Sequence, residues 1–309
     1  MKKILSLMLV LILGLTLVAC NNDTTEEANE TATDTVAEVE ETAEETETTE
    51  ETEETTEVAE GSNNKLQTIQ DSGKLVVGTS ADYPPYEFHA VIDGQDQIVG
   101  FDIEFAKAIA EELGVELEIQ DMDFSAVLAG VQNGIIDLGV AGINPTPDRQ
   151  EVMDFTDIYF KSEYCILVNA DDVDNYTTEE DLNGKAVGVQ LGTIQETMVN
   201  ENLEPSNTVA LGKITDLVMQ LKSGMIDAIV IEVPVADSYA KANPDLATVN
   251  ELTFEDYDME GGSAAVAQKG EVEFVEKINE IIAKLQEEGK FEEWYADAVE
   301  LADTLNTEE

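Results

Sequence analysis

One arginine, one histidine, one tryptophan and two cysteines stand in a chain of 309 residues, and bases are few against 68 acidic side chains. Each shortage excludes something. With a formal charge of −53, the protein would be repelled by nucleic acid and by anionic lipid headgroups, so neither is expected as a partner. A lone histidine, His89, in an Ala/Val/Phe setting reads as a strand residue rather than a catalytic base, and no serine or cysteine motif accompanies it. No Cys/His spacing suits a metal. Asp171-Asp-Val-Asp174 starts like a calcium loop. Counted from Asp172, however, position five is Tyr176 and position twelve is Asn183, so the ligand pattern fails. No phosphate-binding glycine loop of the Walker type occurs. No catalytic residue, metal or cofactor is expected.

The cysteines are also too few for a disulfide framework. Cys20 closes Leu17-Val-Ala-Cys20, which follows Met1-Lys-Lys and the apolar run Ile4–Val18. Two positive charges, a short apolar region and a small residue before the cut make a signal peptide over 1–19, and the run is shorter than a membrane span of about 20 residues needs. The ending resembles a bacterial lipobox, which implies Cys20 as the lipidated first residue of the mature protein, held on the membrane by acyl chains such as palmitate. Cys165, flanked by Tyr164, Ile166 and Leu167, is then a core residue without a partner. Residues 20–64 form an acidic linker. Seventeen acids and no base lie between Asp23 and Glu60, a composition that cannot bury enough apolar surface to fold, so an extended tether is expected.

The rest alternates. Lys74–Thr79 reads as a strand, and Asp93-Gly94 as a hairpin turn. Phe101–Leu113 places apolar residues at 101, 105, 109 and 113 and stops at Gly114, an amphipathic helix. Val115–Ile119 is a strand, Phe124–Gln132 a helix, and Ile135–Ala141 a buried strand. The pattern then restarts with strand Gly184–Gln190, a helix opening at Gly192, helix Lys213–Lys222 and strand Ala228–Ile231. Leu128–Asp137 and Val218–Asp227 echo each other, each a helix end, a glycine, two apolar residues and an aspartate. Helices Glu273–Leu285 and Phe291–Leu301 close the chain, the second carrying Trp294 as a packing residue. Strand and helix in alternation, twice over, predict an α/β fold of two similar lobes.

What stands at the strand ends is binding chemistry. Lysine supplies every other positive charge, so the single guanidinium at Arg149 is a choice for a planar fork able to grip a carboxylate. It follows the predicted strand Ile135–Ala141, where open α/β sheets bind ligands. Ser80, Asp82 and Tyr83 follow the first strand, Phe124 another, and Gly142 and Asn144 precede Arg149. Gln190, Thr193 and Ile194 follow a strand of the second half, with N–H groups at the Gly192 helix start, and Glu232 ends the last strand. One cation and one anion together suit a zwitterion.

Several pieces in order then carry a family resemblance. They are Val77-Gly-Thr-Ser-Ala-Asp-Tyr-Pro-Pro-Tyr-Glu-Phe88, Val99-Gly-Phe-Asp-Ile103, Asp123-Phe124, Gly142-Ile-Asn-Pro-Thr-Pro-Asp-Arg149, Asp154-Phe-Thr-Asp157, Gln190-Leu-Gly-Thr-Ile-Gln-Glu196 and Glu232-Val-Pro-Val-Ala236. The sequence resembles the amino-acid-binding proteins of ABC importers, solute-binding family 3. That resemblance implies a type II periplasmic-binding-protein-like fold with two hinge crossovers. Lobe 1 would hold 65–160 and 258–309, and lobe 2 would hold 164–255. By position, Arg149 would grip the ligand carboxylate with Gly142, Asn144 and Thr193, and Glu232 the ammonium. Tyr83 and Phe124 would sandwich the side chain, with Ser80 and Gln190 at its tip. Many members carry Asp at the positions of Glu232 and Ser80. The missing charge at Ser80 points first to a polar, glutamine-like amino acid and second to a basic one. The implied protein is a monomeric, lipid-anchored receptor on the outer face of the cell membrane that serves permease subunits. The alternatives are a cyclohexadienyl or arogenate dehydratase on the same fold, with Asp82 or Glu232 as general acid, and a ligand-sensing domain.

Overall fold

The computed structural model describes residues 64–205, 207–250 and 262–305. The signal peptide, Cys20, the acidic linker through residue 63 and the second lobe boundary near 255–258 lie outside the described residues. None of the described helices is long and apolar enough to cross a membrane.

The chain begins with α1 (Lys65–Ser72), β1 (Lys74–Thr79), β2 (Asp82–Tyr83), β3 (Glu87–Ile92), β4 (Gln95–Val99), α2 (Phe101–Leu113) and β5 (Glu116–Asp121). It continues with α3 (Phe124–Gln132), β6 (Leu138–Gly139), α4 (Pro147–Val152) and β7 (Met153–Phe155). A second set follows: β8 (Tyr164–Asn169), β9 (Ala186–Gln190), α5 (Ile194–Asn202), β10 (Asn207–Leu211), α6 (Ile214–Lys222), β11 (Ala228–Glu232), α7 (Val233–Ala242) and β12 (Leu246–Val249). The last described elements are β13 (Val266–Gln268), α8 (Val272–Glu287) and α9 (Lys290–Leu305).

Two five-stranded sheets result, in the orders β5-β1-β6-β13-β7 and β10-β9-β11-β8-β12, with β2-β3-β4 as a small antiparallel meander. β1 runs parallel to β5 and β6, and β9 parallel to β10 and β11. Because β13 returns to the first sheet after the second is complete, the chain passes between sheets twice. The two passages touch as an antiparallel pair at Phe160 and Ser263, where the Ser263 N–H donates to the Phe160 carbonyl at 2.8 Å. This is the expected two-lobe α/β fold with two crossovers.

Local sequence explains the elements. α2 buries Phe101, Phe105, Ile109 and Leu113 on one stripe and ends at Gly114, whose φ of 71° lets its N–H reach back to the Ala110 carbonyl. Asp93 and Gly94 take φ of 54° and 75°, the positive pair that a two-residue hairpin between β3 and β4 requires. Beneath the first sheet, Tyr86, Phe101, Tyr159, Phe160, Phe291 and Tyr295 form a continuous aromatic cluster with centroids 4.6–6.3 Å apart. It ties the first passage, which contains Tyr159 and Phe160, to α2 and α9. Trp294 packs edge-on against Phe291, as its packing role requires. Cys165 is fully buried in β8.

The echo between halves is structural as well. Asp137 accepts from the Val76 N–H at 2.9 Å, and Asp227 from the Ala186 N–H at 2.7 Å, so each aspartate side chain pairs with the start of the neighbouring parallel strand. Gly78 lies against Ile136 and Gly188 against Ile226, close enough that a Cβ would come within 2.4 Å and 2.6 Å of the isoleucine. The strand expected over Ile135–Ala141 is confined to Leu138–Gly139. Ile135 is exposed, Asp137 bonds β1 through its side chain, and the chain turns away at Gly142 with φ of 56°.

Removing either aspartate leaves a strand N–H unpaired. Asp137→Ala and Asp227→Ala are each expected to cost about 1 kcal/mol, with the larger loss at Asp137, whose bond is part-buried and which also pairs Lys65. Urea unfolding measures this, and unchanged midpoints in both variants would refute the pairing role.

Candidate functional site

The C-terminal ends of the parallel strands in both sheets face one another, where such sheets place their ligands. A narrow cavity of about 10 Å³ lies between them. Of the residues expected in the site, Ser80, Tyr83, Phe124, Gly142, Asn144, Gln190, Thr193 and Glu232 line it.

Arg149 is the third residue of α4, a helix capped by Thr146 with Pro147 in its first turn. The guanidinium sits over the Phe124 ring, 5.5 Å from its centroid. Nη1 donates to the Asn144 carbonyl and Nη2 to the Gly192 carbonyl, each at 2.8 Å. It thus bridges the two halves of the cleft, one bond to each. Its partners are neutral, and burial lowers its pKa to about 10. Two of five N–H donors are used. The fork can therefore take a carboxylate at full charge.

Across the cavity, Glu232 ends β11 with 2 % exposure and accepts from the Tyr86 hydroxyl. Burial raises its pKa to about 7, partly offset by hydrogen bonds from Tyr86 and Ser162. Gly142 approaches Tyr83, and its N–H donates to Asp102 at 2.9 Å. Asp102 is itself buried, receives the Tyr159 hydroxyl at 2.8 Å, and is raised to about 6 by burial. It holds the glycine turn that forms the cavity wall.

Other predicted residues are placed differently. Ile194 turns into the second sheet's core with Val187, Val189 and Met198, because the first turn of α5 packs its apolar side on that sheet. Asp82 directs its carboxyl away from the cavity to the start of α6. The Gly192 N–H, expected to face a ligand, donates to Glu196 at 2.7 Å within its own helix start. Thr193 donates to the Gln190 carbonyl at 2.7 Å, and the Asn144 amide to the Gly262 carbonyl at 3.0 Å.

Three residues that sequence reasoning did not assign also line the cavity: Ala141, Gln195 and Glu87. Glu87 is fully buried at the start of β3, and neither oxygen makes a well-formed hydrogen bond among the described residues. Its polar neighbours are the Ser80 backbone and the Asp102 carboxyl. Burial first, then the Asp102 and Asp82 charges, push its pKa well up. The only signal available for it was its place in the Tyr83–Phe88 motif. Among the described residues no cluster of acidic, histidine or cysteine side chains could hold a metal ion.

A cleft between two α/β lobes, lined by buried carboxyls with a guanidinium packed on one of its lining aromatics, has the form of a solute receptor. The chain belongs to the bacterial extracellular solute-binding proteins, family 3, whose profile matches residues 75–298. It is 39 % identical over 222 residues to the arginine-binding extracellular protein ArtP of Bacillus subtilis (strain 168), covering 71 % of this chain and 83 % of that protein. Among solved structures it resembles an amino acid ABC transporter substrate-binding protein, AbpA, from Streptococcus pneumoniae bound to L-arginine. That likeness has a TM-score of 0.74 and 42 % identity, over 76 % of this chain and 98 % of the other. It also resembles an ancestral amino-acid-binding protein, AncCDT-1, a precursor of cyclohexadienyl dehydratase, with TM-score 0.68 and 31 % identity, over 76 % and 99 %. These relatives are binding proteins rather than enzymes.

The buried acids make stability depend on pH. Folded Glu232 keeps a proton that the unfolded chain releases near 4.5, so between pH 4.5 and about 7 the folded state binds more protons and loses stability as pH rises. Relative to Glu232→Gln, the ligand-free protein is expected to lose roughly 1–3 kcal/mol across that window. Urea titrations at stepped pH check it, and parallel curves for the two proteins would contradict a raised Glu232.

Proposed function

We propose that the protein captures a free amino acid outside the cell, closes its lobes on it and delivers it to the membrane subunits of an ABC importer. The observation that carries this is a cavity lined by the buried acid Glu232, an ammonium partner, and by Phe124, on whose ring rests Arg149, a carboxylate fork that lies beside the cavity rather than in its lining. In this reading Tyr83 and Phe124 flank the ligand side chain, and Ser80 and Gln190 meet its tip. The lobes comprise 65–160 with 258–309, and 164–255.

The substrate class we favour is basic, arginine-like, with a glutamine-like side chain second. This reverses the order suggested by the uncharged Ser80. Glu87 supports the change, because it supplies a buried carboxyl beside the Ser80 backbone. A cation there would pair with a group that otherwise stays protonated. The arginine-binding relatives point the same way. The dehydratase reading is not favoured, because the relatives, including the precursor of a dehydratase, are named as binding proteins.

We also propose that Cys20 carries lipid, and that the segment through residue 63 tethers a monomeric receptor to the outer face of the membrane. Palmitate labelling in the native host should mark the wild type and spare Cys20→Ser; equal labelling would overturn the anchor.

Calorimetric titration of the twenty amino acids should give micromolar or tighter binding, strongest for arginine. Arg149→Lys and Arg149→Ala should weaken it by about a hundredfold or more, since a charged hydrogen-bonded pair is lost from a buried site. Glu87→Gln should weaken arginine by about tenfold while leaving glutamine within a few-fold. Arginine binding that survives Arg149→Ala unchanged would sink the site, and equal losses for both ligands in Glu87→Gln would sink the basic preference.

A further inference from the structure

The start of α6 has no cap of its own. Its N-cap position is Lys213, which offers no acceptor and makes no side-chain capping bond. The first N–H groups of a helix need acceptors. Here the acceptor comes from the other side of the cleft. Asp82, in β2 of the first-sheet lobe, accepts from the Ile214 N–H at 2.5 Å and the Thr215 N–H at 3.3 Å. The exchange is mutual, because Lys213 reaches back to Asp121 at 3.0 Å and to the Met122 carbonyl at 3.3 Å. The Tyr239 hydroxyl of α7 donates to the Asp82 carbonyl at 2.7 Å.

Two glycines of the second-sheet lobe make room for this contact. A Cβ on Gly212 would lie 2.5 Å from the Asp123 carboxylate, and one on Gly192 would lie 3.2 Å from the Ser125 Cβ. The contact is also wired to the cavity. Ser80 lines the cavity and donates to Asp82 at 3.3 Å, while Gln190, from the opposite sheet, reaches Ser80 at 3.5 Å and the Gly212 carbonyl at 3.2 Å.

We propose that Asp82 is the closure latch of this receptor, a positioning residue that caps α6 across the cleft and sets how long the lobes stay shut without touching the ligand. The inference deepens the amino-acid reading of the cleft and rests on it for the ligand it retains. Its chemistry is that of an N-cap made between lobes. Apart, the lobes leave the Ile214 and Thr215 N–H groups and the Asp82 carboxylate to water. Shut, the carboxylate meets the positive end of the helix and Lys213 meets Asp121. Burial opposes the charge on Asp82, and Lys213 with the two N–H groups favours it. Such a latch acts after encounter, so it is expected to alter release more than capture.

The test uses the full chain with Asp82→Ala and Asp82→Asn, and L-arginine as probe. Stopped-flow release should speed up roughly threefold to thirtyfold in Asp82→Ala, with the association rate nearly unchanged. Asp82→Asn should recover most of the loss, because asparagine also caps helices. A merely structural residue would instead lower the melting point of the ligand-free protein without separating the two rates. A second readout needs no ligand. Dyes on cysteines placed at the exposed Ile135 and Met225, one on each lobe, report lobe separation. Asp82→Ala should lengthen their mean distance in the ligand-free state, and Asp82→Asn should restore it. Unchanged release together with unchanged separation would overturn the latch. Should no amino acid bind even the wild type, the receptor reading fails, while the dye distance still decides the latch.

Discussion

The cleft is organised by a guanidinium removed from water and held by two carbonyl oxygens on opposite sides. Arg149 bonds Asn144 on one wall and Gly192 on the other, and rests on Phe124. Neutral carbonyls fix its direction without cancelling its charge, which is why burial alone lowers its pKa. Lysine could not do this, because one ammonium cannot present two fixed donors to two walls and leave a planar edge free. The turn at Gly142 and the cap at Thr146 follow from the need to bring that side chain round from the end of β6.

The opposite wall is acidic and buried. Glu87, Asp102 and Glu232 lie close together inside a protein already crowded with surface acids, and burial raises all three. They differ in what holds them. Asp102 is satisfied by Gly142 and Tyr159 and serves the wall. Glu232 takes the Tyr86 hydroxyl. Glu87 lacks partners of that kind and has only the Ser80 backbone and the Asp102 carboxyl for polar neighbours. A ligand with two separated positive charges would meet both acids in turn, whereas a neutral side chain leaves Glu87 protonated. This links the electrostatics of the fold to the choice between substrates.

Much of the architecture was legible because it depends on local rules. The stripe through Phe101, Phe105, Ile109 and Leu113 can only be a helix face, and Asp93-Gly94 can only be a tight turn. The repeated Gly, apolar pair and Asp at 134–137 and 224–227 marked two lobes correctly, since each aspartate performs the same backbone bond in its own sheet. Ile135–Ala141 reads as a full strand, yet only Leu138–Gly139 forms one, for a physical reason. Hydrophobicity reports burial: Val140 still bonds the Gly78 carbonyl of β1, but Ala141 and Ile143 are buried in the turn that follows β6.

At the proposed site, residue type alone suggested the polarity a ligand would need. A single arginine among fourteen lysines, an acid ending a buried strand and two aromatics at strand ends already implied a receptor for a charged small molecule. Only the tertiary structure decided which acids and which faces line the cavity. Asp82 and Glu87 sit five residues apart in one motif, and no pattern in the sequence distinguishes them. The pairing of β2 with β3 buries both, and the arrival of α6 from the other lobe then gives Asp82 two N–H donors while leaving Glu87 facing the cavity. That difference arises from a contact between residues more than a hundred positions apart, which the folded chain alone brings together.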